Sequence, residues 1–105
     1  MTSASLLRTA LELIERLQLP NRIPIKVTLS PCHRIGPKSE ILFHDVDELD
    51  VLEKIVGRFD DEPRNVLEVN GEFVVDGFAE GIRLSAFIKP ELLSEARRQR
   101  LVRMS

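Results

Sequence analysis

The chain has 105 residues, 43% of them hydrophobic and 30% charged, with a formal net charge of -2. That balance suits one ordinary folded domain; it is too apolar for a disordered tail and carries no overall basic footprint for nucleic acid. With five Phe but no Trp or Tyr, a stacking platform for single strands is poorly supplied, and a lone cysteine excludes an internal disulfide and fits a reducing, cytoplasmic setting.

The first stretch, "MTSASLLRTALELIERL", is broken by Arg8, Glu12, Glu15 and Arg16, so it reads neither as a signal peptide nor as a membrane span. It predicts an amphipathic helix. Leu7, Leu11, Ile14 and Leu17/Gln18 follow helical spacing, and Leu6, Ala10 and Leu13 widen the stripe. Ser3 or Ser5 is the expected cap and Pro20-Asn21 the stop. "IPIKVTL" then alternates: Ile23, Ile25, Val27 and Leu29 face one way, and Pro24, Lys26 and Thr28 the other. This predicts a half-buried strand, with Pro24 suited to an edge or a strand start. A turn-rich loop over 30–40 follows, then a short strand "ILFH" with Ile41 and Phe43 inward and His44 outward.

"HDVDELDVLEKIVGRF" predicts a second helix, capped by Asp45 or Asp47, with a buried stripe of Leu49, Leu52, Ile55, Val56 and Phe59. "DDEPR" is a linker. Asn70-Gly71 is a strong hairpin signal. A two-residue turn there, however, sets Val69 against Glu72 and Glu68 against Phe73. The alternation instead favours one long strand through Leu67, Val69, Phe73 and Val75, a turn in "DGFAEG", and a return through Ile82, Leu84, Ala86 and Ile88. In that register Val75 lies beside Ile82 and Glu68 beside Lys89. "KPELLSEARRQRLVRMS" closes as a third helix, with Pro90 at its first position, Glu91 and Glu95 early and four arginines late.

The expected fold is α+β in the order αββαββα: a four-stranded antiparallel sheet with helices packed mainly on one face, in a single small domain over 1–105. The order is similar to that of homing-endonuclease halves, but their acidic catalytic motif at the end of the first helix is absent. The resemblance is topological and implies no activity.

Several stretches invite a chemical reading. Cys32-His33 offers the residue types of a thiol enzyme or a metal site. Adjacent loop residues point apart, however, and His44 at the far end of its strand is too distant to complete a zinc set. "HDVDELD" lacks the spacing of a calcium loop, and helix capping accounts for its acids. No catalytic residue, metal or cofactor is expected. The C-terminal arginines Arg97, Arg98, Arg100 and Arg103 can grip phosphates, yet cations late in a helix are what its dipole favours anyway. The outer sheet face is more suggestive: Thr28, Leu42, His44, Val66, Val74 and Phe87 are expected there, and apolar residues on a solvent face need cover. The third helix can supply it through Leu92, Leu93, Ala96 and Leu101; otherwise a second chain does.

The expectation is therefore a non-enzymatic protein-binding module of the adaptor, inhibitor or mobile-element accessory type. Its contact residues are Phe87, Val74, Leu42 and His44 on the face, Phe78 at a hairpin tip, His33 and Arg34 in the loop, and the four arginines. The partner is another protein or a second copy of itself. The alternative is a nucleic-acid-associated protein working through the arginines, and a small thiol enzyme centred on Cys32 comes third.

Overall fold

In the computed structural model, which describes residues 3–29, 39–60, 66–100 and 102, each apolar-periodic segment becomes a helix. These are α1 (Ser3–Leu17), α2 (Leu49–Val56) and α3 (Pro90–Arg98). The alternating segments become β1 (Ile25–Thr28), β2 (Glu40–Val46), β3 (Leu67–Val69), β4 (Glu72–Ala79) and β5 (Ile82–Ile88). The fold is α+β as expected. Among the described residues the sheet has five strands in the order β1-β2-β5-β4-β3, and it is mixed rather than antiparallel, because β2 and β5 run parallel. The chain leaves β2 through α2 and re-enters at the far edge, so two hairpins later β5 arrives beside β2 pointing the same way.

The extra strand comes from Asn70-Gly71. Both residues have positive φ, 51° and 82°, and Val69 pairs with Glu72 across them, as in a two-residue hairpin turn. The mixed pairing that argued against this turn costs little, because β3 is exposed along its whole length. A second turn of the same kind, at Glu80-Gly81, joins β4 to β5. Ile82 therefore pairs with Ala79 instead of Val75, and Val75 pairs with Ala86. That slip of four residues along β4 is even, so the side chains of β4 and β5 keep their expected faces. The turn at Asn70-Gly71, by contrast, carries Leu67 and Val69 from the expected core face to the outer face, beside Val74 and Glu72. Glu68 sits opposite Phe73 and not Lys89. Gly71 has open space around its Cα but a left-handed backbone. Gly71→Ala is expected to lower stability by about 1 kcal/mol through backbone strain alone, as read from urea unfolding.

One core forms between the helices and one sheet face. Ile41, Phe43, Val75, Ile82 and Leu84 from the sheet share it with buried residues of all three helices. On α1 the buried stripe is Leu6, Ala10, Leu13 and Leu17, one residue round from the stripe centred on Leu7 and Leu11. Burying this stripe points Arg8 and Glu15 directly away from the core.

α2 starts later than expected. Asp45 has a φ of 54° and forms a bulge inside β2, where the register with β5 shifts between Phe43 and Val46. The bulge lets Phe43 and Val46 both face the core. Neither Asp45 nor Asp47 caps the helix. The N-cap is Glu48, without a side-chain cap bond. Asp47 and Glu48 instead hold Arg22, at 3.0 and 2.6 Å, which ties the turn after α1 to the start of α2. The hydrogen bond to Asp47 is the main influence raising the Arg22 pKa, so the guanidinium stays charged. At the other end of α2, Lys54 and Arg58 donate to the backbone oxygens of Gln18 and Arg16 at 3.2 and 3.4 Å, closing the C-terminus of α1. Phe59 lies beyond α2, and its ring rests on Gly77 of β4. The Asp60 backbone N–H donates to the Phe78 oxygen at 2.7 Å, and the Asp60 carboxylate accepts from the Glu80 backbone N–H at 3.2 Å.

Candidate protein-binding face

The strand registers decide what the other sheet face carries. Leu67 pairs with Val74 and Val74 with Phe87, and the Phe87 ring stacks on His44 with centroids 4.7 Å apart and planes 14° from parallel. An apolar stripe thus crosses β2, β5, β4 and β3. Leu42 lies beside it, paired with Ser85, and Val69 extends it along β3. Val74 is only 6% exposed although it lies outside the helix-side core, whereas Leu67 and Val69 are 52% and 45% exposed at the sheet edge.

Charge surrounds the stripe. Asp76 sits across from Ser85, and Arg83 reaches it at 3.8 Å while its guanidinium lies 5.5 Å from the centre of the Phe78 ring. At the end near the Asn70-Gly71 turn a concavity of about 140 Å³ opens among His44, Asp45, Glu72, Phe87 and Lys89. It could take one small side chain. Carboxylates flank Val74 on this face, where Glu72 and Asp76 stand two residues to either side of it on β4.

Leu42, His44, Val74 and Phe87 are all on this face, as alternation predicted. Phe78 joins them from within β4 and not from a hairpin tip. Thr28 lies on the exposed edge strand β1, but Val66 packs against the core instead. α3 does not cover the stripe: Leu92, Leu93 and Ala96 enter the helix-side core. Its arginines therefore belong to the helix layer, not the sheet face. Arg97 is half-buried, Arg98 pairs with Glu95 at 3.2 Å, and Arg100 is exposed just past the helix. Cys32, His33, Arg34, Leu101 and Arg103 lie outside the described residues. The exposed pair Leu67 and Val69 was not anticipated, and the signal for it was the Asn-Gly turn.

Among the described residues no group of three or more His, Cys, Asp or Glu side chains could hold a metal ion, and no helix is long and apolar enough to cross a membrane. No protein-family model, curated protein or solved structure matches the chain.

Proposed function

We propose that this chain is a non-catalytic protein-binding module, of the adaptor, inhibitor or accessory kind, and that the outer sheet face is its working surface. One observation carries this reading: an apolar stripe crosses four strands on the face opposite all three described helices. The occupant we favour is an extended segment of another protein. It would add a strand to the open β3 edge and lay apolar side chains along Leu67, Val69, Val74 and Phe87. The carboxylates of Glu72 and Asp76 call for lysine or arginine in that segment. The α3 arginines are not needed for it. A cytoplasmic setting fits the single cysteine.

The test is capture of a partner, its identification, and binding measured with both proteins purified. Phe87→Glu is expected to weaken that binding by about 30-fold, the loss of one hot-spot anchor. Glu72→Lys is expected to weaken it less, with an effect that fades as salt is raised. A folded Phe87→Glu variant that binds the purified partner as tightly as the parent rules the sheet face out.

A further inference from the structure

The helix layer carries a second apolar surface. Leu7 and Leu11 are 49% and 50% exposed, one turn apart on α1, and Ile14 follows, only partly buried. Their spacing of four and then three residues is that of a coiled-coil seam. The core takes the neighbouring stripe of Leu6, Ala10, Leu13 and Leu17, so α1 has two apolar stripes and only one is covered. Arg8 and Glu15 flank the open seam at the same heptad position with opposite signs. Among the described residues neither takes part in an ion pair within the chain.

We propose that a second copy of this chain covers the seam, with the two α1 helices antiparallel about a two-fold axis that crosses each near Leu11. Two-fold pairing is the commonest way for a chain to bind itself, and it presents the same patch from both sides. In this arrangement Leu11 of each copy lies against Leu11 and Ile14 of the other, with Leu7 beyond them. The antiparallel direction reverses the order of the flanking charges, so Arg8 of each copy meets Glu15 of the other, twice. A parallel pair sets Glu15 against Ala10 and leaves Arg8 without a carboxylate. The charge pattern therefore selects both the occupant and its direction. This surface is separate from the outer sheet face.

Sedimentation equilibrium on the full chain tests the proposal. A reversible dimer is expected, and Leu11→Glu is expected to leave only monomer with an unchanged circular dichroism spectrum. Arg8→Glu and Glu15→Arg should each raise the dissociation constant about tenfold, since two attractions become two repulsions. The double variant Arg8→Glu/Glu15→Arg should return to within about twofold of the parent, because the two changes act on one contact. Both positions are exposed, so these variants decide the matter even if Leu11→Glu fails to fold. A chain that stays monomeric to about 1 mM overturns the proposal. So does a dimer that survives Leu11→Glu, a double variant whose losses add, or a dimer lost in a folded Phe87→Glu variant.

Discussion

Replacing Gly77 with valine is expected to lower stability by about 3 kcal/mol or more, enough to unfold a domain of this size in mild denaturant. A Cβ at Gly77 would lie 2.5 Å from Cδ2 of Phe59, 2.6 Å from its Cγ and 2.9 Å from its Cε2. All three atoms belong to a nearly buried ring whose neighbour, Asp60, is bonded to the Phe78 backbone, so the ring cannot swing aside without breaking the seam between α2 and β4. Phe59→Ala removes the ring and leaves a cavity, at a cost of about 3 kcal/mol. The two changes remove one contact, so their effects should fall well short of adding in the double variant. Urea unfolding of the four proteins measures this. Strict additivity would mean that the Phe59 ring and Gly77 do not depend on each other.

An aspartate at Val75 or Ile82 should be as damaging. Both positions are fully buried on the helix-side face. A carboxylate there must stay charged without water or take up a proton, and either outcome costs several kcal/mol. Burial raises the pKa of the new group in the folded state above its unfolded value of about 3.9. The folded state then holds the proton more tightly, so the penalty grows as pH rises through that interval and is smallest in acid. Unfolding free energies measured near pH 4 and pH 7 should diverge in that sense. Val74→Asp is expected to cost about 1–2 kcal/mol, since its carboxylate points to the face without helices and can reach water with small adjustments. Equal damage at Val74 and Val75 would show that both faces of β4 are dry.

Faces were more legible in the sequence than neighbours. The alternation in β4 and β5 assigned each side chain to its correct side although the register was wrong by four residues, because an even slip changes partners but not faces. The Asn70-Gly71 turn was rejected on the assumption that its first strand needed a buried face. β3 has none, so local turn chemistry prevailed. The parallel pairing of β2 and β5 has no local signature, since it depends on where a helix and two hairpins carry the chain. α1 offered two apolar stripes one residue apart, and periodicity could not choose between them. At the candidate site Leu42, Val74 and Phe87 were readable from alternation. The stack of His44 on Phe87 and the exposed Leu67 and Val69 were not, because each depends on which strand lies next door.

The central position of β5 also sets a schedule for synthesis. Among the described residues β1 and β2 join the rest of the sheet only through β5, which is made after the other four described strands. At the usual pace of translation, roughly 2–8 s separate the completion of β2 from that of β5. The hairpins of β3, β4 and β5 close within microseconds once they emerge. For those seconds, though, Ile41 and Phe43 stand on a strand with one bare edge, open to pairing with any other nascent chain. Slower elongation lengthens that interval, and arrival of the segment 82–88 ends it.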